Sequence, residues 1–113
     1  MKGELHVYQQ QREAAEEFAR RMRRALPHRK MGFKLFGSVA RGRSEWDSDV
    51  DVLLHADQID NTLRQIKSQL AFDISLKYDV VLSVVTYSDE EYADRVVQCT
   101  PFIEHVEKEG IEL

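Results

Sequence analysis

A glycine-bounded turn followed by two closely spaced aspartates constrains this chain more than any other feature. The turn is Gly37-Ser38-Val39-Ala40-Arg41-Gly42, and ten residues separate Ser38 from the run Asp49-Val50-Asp51. Glycine and serine in such a turn can present a backbone N–H and a hydroxyl to phosphate oxygens. The apolar residues around Asp51 predict a strand, on which Asp49 and Asp51 share one face. Two carboxylates so placed can bind Mg²⁺, so the two motifs together predict a site for a nucleotide triphosphate.

The aspartate pair and the arginines near the turn each have a structural alternative. Asp49 and Asp51 can be two exposed carboxylates on an edge strand, but like charges this close oppose each other's ionisation until a cation binds. The pair is therefore a poor structural device on its own, and we favour a metal site. Arg41 and Arg43 can reach phosphate oxygens, or they can equally pair with Asp47 or cap the local backbone.

Hydrophobic spacing predicts a small α/β fold. An apolar stripe at every fourth residue predicts a helix over residues 7–26, ended by Pro27; its members are Ala14, Phe18, Met22 and Leu26. Strands are predicted at residues 33–36, 49–54 and 79–87, and a second long helix is marked by Ile59, Leu63, Ile66 and Leu70. The capping box at residues 88–91 predicts a third long helix, and Thr100-Pro101 begins a last short helix that ends at Gly110.

The turn, the aspartate pair and the residues between them resemble the nucleotidyltransferases of the DNA polymerase β superfamily. The resemblance is strongest to their stand-alone minimal nucleotidyltransferase (MNT) group, and it covers about half of the chain, residues 32–86. It implies an α/β fold in which a small mixed sheet is flanked by helices. The combined motif with its spacing is far more specific than a lone Gly-Ser or Asp-x-Asp pair.

The resemblance assigns a role to each motif residue. Asp49 and Asp51 are expected to ligate Mg²⁺, with two ions in the site and ATP as the nucleotide substrate. Gly37 and Ser38 are expected to hold the β- and γ-phosphates of the departing pyrophosphate. The remaining nucleotide-binding residues implied by the resemblance are Arg41, Arg43 and Ser48.

A third carboxylate is generally found on the neighbouring strand in this superfamily, where it shares the metal site or accepts the proton of the attacking hydroxyl. Asp79 is the only acidic residue of the predicted strand 79–87, and alternation places it on the face of Val81 and Ser83. We therefore expect Asp79 to complete a catalytic and metal-binding set with Asp49 and Asp51. The alternative is a solvent-facing residue at the start of the strand. In that case Ser83 cannot replace it as a base, and catalysis is weakened or absent.

The chain length limits which molecule could accept the transferred nucleotide. A chain of 113 residues predicts one domain, residues 1–113, without a second lobe to hold a template, a primer or a drug. MNT proteins are commonly paired with a small HEPN-domain ribonuclease toxin, and members transfer AMP from ATP to a toxin tyrosine. The resemblance thus implies a protein adenylyltransferase that acts as an antitoxin. The alternatives are a non-catalytic binding module that covers its partner, and a small-molecule transferase completed by a homo-oligomer.

Composition and charge indicate the cell compartment of the protein and the partners that it can bind. No apolar run approaches the ~20 residues of a membrane span, and the polar N-terminus has no apolar signal region, so we expect a cytosolic protein without a membrane partner. Residues 1–43 hold 11 Lys/Arg and 4 Asp/Glu, whereas residues 44–113 hold 5 and 16. The basic stretch 20–30 can steer an anionic partner, although we favour a solvated helix face. Aromatic residues do not interleave with its arginines, which argues against a nucleic-acid partner.

Overall fold

The computed structural model describes residues 2–113, with side chains from Tyr8 onward. The helices are α1 (Lys2–Ala25), α2 (Gly37–Ala40), α3 (Asn61–Tyr78), α4 (Asp89–Ala93), α5 (Arg95–Gln98) and α6 (Pro101–Glu109). The strands are β1 (Met31–Phe36), β2 (Val50–Ala56), β3 (Leu82–Ser88) and β4 (Ile111–Glu112). Within residues 2–113, no helix is both long enough and apolar enough to span a membrane.

The four strands form one mixed sheet in the order β3-β2-β1-β4. Strand β1 is antiparallel to both β2 and β4, whereas β2 and β3 are parallel and are joined by the crossover helix α3. A parallel pair needs such a crossover because the chain must return to the starting edge of the sheet. The predicted α/β fold with a mixed sheet flanked by helices is therefore confirmed.

Side-chain alternation gives the sheet two different faces. One face packs against α1 and α3, and its buried residues include Phe33, Leu35, Val52 and Leu54 together with Ala14, Phe18 and Met22 of the predicted stripe. On the other face, Leu53 packs with Ile103 and Val106 of α6. Asp51 lies two residues before Leu53 and therefore belongs to this second face.

The predicted third long helix is wrong. Helix α4 begins at the predicted capping box, where Ser88 accepts a hydrogen bond from the N–H of Glu91, but it ends at Ala93. Asp94 is extended, with φ −60° and ψ 133°, and its carboxylate accepts hydrogen bonds from the N–H groups of Val96 and Val97. Asp94 thus acts as a new N-cap, and its local hydrogen bonds stop one helix and begin the next.

The last helix follows its prediction, but the strand after it was not predicted. Thr100 caps α6, Pro101 occupies the first turn, and the helix ends at Gly110. Strand β4 has only two residues, and it pairs Ile111 with Leu35 at the edge of the sheet. Two residues carry too little alternation for a strand to be predicted from the pattern.

Asp79 does not lie in a strand, which corrects the predicted strand 79–87. It is the C-cap residue of α3 in the left-handed conformation, with φ 52° and ψ 50°, and its N–H donates to the carbonyl of Ser75. Strand β3 begins only at Leu82. A short polar residue can adopt this conformation at a helix end, and Asp79 uses it to reverse the chain out of α3.

Candidate active site

The glycine turn lies directly against one of the two aspartates. Strand β1 ends at Phe36, which is the register partner of Asp51 on β2, and the chain then turns at Gly37 with φ +78°. A Cβ atom at Gly37 would lie 2.5 Å from Oδ2 of Asp51. Glycine is therefore required at this position for two reasons, the backbone conformation and the close approach to the carboxylate.

The electrostatic environment of Asp51 favours a bound cation. The side chain is half-buried, and this burial raises its pKa, with the neighbouring charge of Asp49 as the second cause. Arg41 lowers the pKa of Asp51, but burial and Asp49 together outweigh this effect. The Arg41 guanidinium also forms an ion pair with Glu109 at 3.5 Å. Arg41 thus pairs with α6 rather than with Asp47. Mg²⁺ commonly binds one or two carboxylates together with substrate phosphates, and Asp49 with Asp51 fits that donor set.

The loop between the turn and Asp49 folds back on itself. The N–H of Arg43 donates to the carbonyl of Ser38 at 2.9 Å, which closes the turn. The hydroxyl of Ser48 accepts a hydrogen bond from the N–H of Glu45 at 2.8 Å, so this hydroxyl supports the loop. Asp49 is exposed and comes immediately before β2, where the N–H of Val50 donates to the carbonyl of Val81 at 2.8 Å.

Gln11 contacts this loop, and its role was not predicted from the sequence. Its side chain is buried on α1, and its Nε2 atom donates to the carbonyl oxygens of Glu45 at 2.8 Å and Ser48 at 3.4 Å. Its Oε1 atom accepts from the hydroxyl of Ser44 at 2.6 Å. A signal was present in the sequence, because Gln11 lies three residues before Ala14 on the apolar stripe of α1. A polar residue at a predicted core position needs hydrogen-bond partners.

The predicted set of three carboxylates is not assembled. The register between β2 and β3 places Ser83 opposite Asp51, while Asp79 lies before β3 in the cap of α3. In the part of the chain with described side chains, no three His, Cys, Asp or Glu residues are grouped so that they could hold a metal ion. The neighbouring strand therefore presents a hydroxyl beside Asp51, and the assignment of Asp79 to the metal set is corrected.

Comparison with known proteins identifies the family. The family model described as a nucleotidyltransferase domain matches residues 15–110, which include the glycine turn and both aspartates. This chain belongs to the nucleotidyltransferase domain family. The predicted nucleotidyltransferase enzyme and the predicted resemblance are thereby confirmed.

This nucleotidyltransferase is similar to one curated protein and to chains of two solved structures. It is 36% identical over 80 residues to the Methanocaldococcus jannaschii protein named "Putative protein adenylyltransferase MJ0141", covering 70% of this chain and 74% of that protein. A chain in the crystal structure of a mutant toxin–antitoxin complex, MntA-HpeT, has a TM-score of 0.55 and 25% identity, covering 87% of this chain and 70% of that chain. A chain in a second toxin–antitoxin crystal structure, with AMP-PNP, has a TM-score of 0.55 and 22% identity, covering 86% of this chain and 70% of that chain. At this identity the likeness shows the fold alone.

Proposed function

We propose that this nucleotidyltransferase uses Mg²⁺ and ATP to transfer AMP to a tyrosine hydroxyl of a partner HEPN-domain toxin, and so acts as an antitoxin in the cytosol. The contact between the Gly37 turn and the half-buried Asp51 carries the proposal, because it joins the phosphate-binding motif to the aspartate pair. The proposal draws its reaction from the name of the Methanocaldococcus jannaschii relative. It draws its partner from the toxin–antitoxin complex that is 25% identical in sequence.

Six of the predicted site residues have a role in this proposed reaction. Asp49 and Asp51 would hold the Mg²⁺ ions, which supply positive charge against the phosphates. The backbone of Gly37 and the hydroxyl of Ser38 would bind the β- and γ-phosphates. Arg41 and Arg43, which follow the turn in sequence, would add positive charge near these phosphates. The tyrosine oxygen forms a bond to the α-phosphorus, the bond to pyrophosphate breaks, and the hydroxyl proton passes to solvent.

A second candidate function follows from Ser83. This residue lies opposite Asp51 on β3, the neighbouring strand on which the superfamily generally has a carboxylate, and a serine hydroxyl cannot act as a general base at neutral pH. The chain can therefore be a non-catalytic antitoxin that keeps the nucleotidyltransferase fold and silences its partner by covering it. The Ser83→Asp variant separates the two candidates, because restoring a carboxylate accelerates transfer only in an enzyme that already binds ATP productively.

Intact mass spectrometry tests the proposal. The protein is incubated with the product of its neighbouring gene, ATP and Mg²⁺, and the partner is then weighed. AMP-sized increments on a tyrosine, lost with Asp49→Asn, support the proposed transfer. A tight complex that silences the partner without any mass change supports the non-catalytic antitoxin. Absence of any interaction contradicts both and favours a small-molecule acceptor, with a homo-oligomer completing the site.

A further inference from the structure

We infer that Gln11 is a positioning residue that fixes the loop leading to Asp49 and thereby sets the affinity of the site for metal-bound ATP. The inference rests on the proposed function, because it concerns the same aspartate pair. Gln11 lies on α1, far in sequence from both motifs, and it touches neither aspartate in a hydrogen bond. It acts on the site only through its hydrogen bonds to residues 44–48.

The Gln11 amide uses both of its ends on this loop. Its NH₂ group donates to two carbonyl oxygens, those of Glu45 and Ser48, and its carbonyl oxygen accepts from the Ser44 hydroxyl. The residue is 1% exposed, so the Gln11 side chain itself is shielded from water. One side chain therefore holds three residues of the loop from inside the fold.

The loop has little else to hold it in place. Most of its side chains are exposed, and Trp46 at its centre is 79% exposed, so apolar packing does not fix its shape. A segment with few buried contacts depends on its hydrogen bonds for local stability. The geometry of residues 44–48 accordingly depends on Gln11 and on two internal hydrogen bonds, from the N–H of Glu45 to the Ser48 hydroxyl and from the N–H of Ser48 to the Glu45 carbonyl.

Asp49 lies between two anchored residues. On one side, the carbonyl of Ser48 accepts from Gln11, and on the other side the N–H of Val50 donates to the carbonyl of Val81 at the start of β3. The exposed Asp49 side chain itself has to rely on this backbone for its position beside Asp51. Loss of the Gln11 bonds would release the first anchor and leave the second, which moves Asp49 without unfolding the sheet.

A matched pair of variants tests the inference. Gln11→Met keeps a side chain of similar length in the buried position but removes all three hydrogen bonds. Gln10→Met is the control, because the neighbouring Gln10 makes the same kind of bond from the same helix, to the carbonyl of Tyr78 at the end of α3 and not to the loop. Ser44→Ala and Ser44→Thr form a second pair, in which only threonine retains the hydroxyl that donates to Gln11. This second pair does not alter the hydrophobic core, so it provides the test if Gln11→Met does not fold.

Two measurements are made on each variant. Trp46 is the only tryptophan of the chain and lies on the loop, so its time-resolved fluorescence anisotropy reports loop motion without any nucleotide present. We expect added nanosecond motion in Gln11→Met and Ser44→Ala, but not in Gln10→Met or Ser44→Thr. We also expect about a tenfold weaker affinity for ATP with Mg²⁺ in Gln11→Met, the usual size of an outer-shell effect, and an unchanged affinity in Gln10→Met.

The outcomes separate the inference from the proposed function. If the wild-type protein binds ATP with Mg²⁺ but Gln11→Met and Ser44→Ala match their controls in both measurements, the inference is overturned and the proposed function stands. If the loop gains motion while ATP affinity does not change, the positioning role is likewise overturned. If the wild-type protein shows no metal-dependent ATP binding, the proposed function fails and the inference fails with it.

Discussion

At the scale of single residues, the site depends on the close approach of the Gly37 backbone to the Asp51 carboxylate. Both residues were predicted from the sequence, because a glycine-serine turn and paired aspartates are recognisable as residue types at a fixed spacing. The contact between them was not predictable, since it arises from the antiparallel register that places Phe36 opposite Asp51. Gln11 escaped prediction for a related reason, because its partners lie 33 to 37 residues away.

Replacing Gly37 tests this contact, and Gly42 offers a matched control. Both glycines have positive φ, at +78° and +70°, but a Cβ at Gly42 would meet no atom within 4 Å. We expect Gly42→Ala to lower the free energy of unfolding by about 1–2 kcal/mol through backbone strain alone. Gly37→Ala should lower it by about 1–3 kcal/mol and also abolish metal-dependent ATP binding, because the methyl group displaces Asp51. Denaturant unfolding and ATP titration measure the two effects, and equal ATP affinity in both variants would contradict the account.

The raised pKa of Asp51 predicts a pH-dependent gain in stability when the charge is removed. Because the folded-state pKa is raised, the carboxyl group stabilises the fold most below its ordinary pKa and loses that contribution as the pH rises through the folded-state value. Asp51→Asn should therefore raise Tm at pH 7, and this difference should vanish below about pH 4. The exposed Asp47→Asn variant should leave Tm unchanged. A lower Tm for Asp51→Asn at pH 7 would show that burial is not what perturbs this group.

At the scale of elements, the positions of helices and strands followed from periodicity, but their ends depended on local caps. The run from Val80 to Val85 has the composition of a strand, and nothing in that pattern marks Asp79 as the left-handed end of α3. The same limit applies to Asp94, whose carboxylate interrupts a segment that was predicted as one helix. In both cases a single aspartate ends a helix, either by bonding to nearby backbone or by reversing the chain. Hydrophobic periodicity does not predict such local effects of one residue.

Substitutions at Asp79 distinguish a helix cap from a third carboxylate. Asparagine tolerates the left-handed conformation as aspartate does, so Asp79→Asn should change the free energy of unfolding by less than about 0.5 kcal/mol. Asp79→Val should lower it by about 1–2 kcal/mol, because a branched side chain is strained at φ 52°. ATP affinity with Mg²⁺ should stay at the wild-type value in Asp79→Asn. A strong loss of that affinity would return Asp79 to the metal site.

At the scale of the whole molecule, α1 and α3 are joined on one side of the sheet by a charged cluster. The Glu17 carboxylate accepts hydrogen bonds from Nζ of Lys77 at 2.8 Å and from the hydroxyl of Tyr78 at 2.7 Å. These contacts lower the pKa of Glu17 and raise the pKa of Tyr78 to about 12. The apolar stripes of both helices were predicted from the sequence, but the polar contacts between them were not, because those contacts form only when the two helices lie side by side.

Acid unfolding should reveal the contribution of Glu17. Since its folded-state pKa is lowered, the stabilisation is present above its ordinary pKa and is lost as the pH falls through the folded-state value. Glu17→Gln should therefore lower the free energy of unfolding at pH 7 by about 1–2 kcal/mol and should approach wild type below about pH 4. Glu16→Gln, which removes an exposed pair with Arg12, should have little effect. The same loss at every pH would contradict this assignment.

Titration calorimetry can show whether Asp49 and Asp51 bind the metal ion that ATP requires. ATP is titrated into the wild-type protein with Mg²⁺, with Mn²⁺ and without a divalent cation, and the series is repeated on the double variant Asp49→Asn/Asp51→Asn. We expect ATP binding that requires the cation in the wild-type protein and an affinity that falls by about 100-fold or more in the double variant. Unchanged metal-dependent affinity in the double variant would show that the two aspartates do not bind the metal.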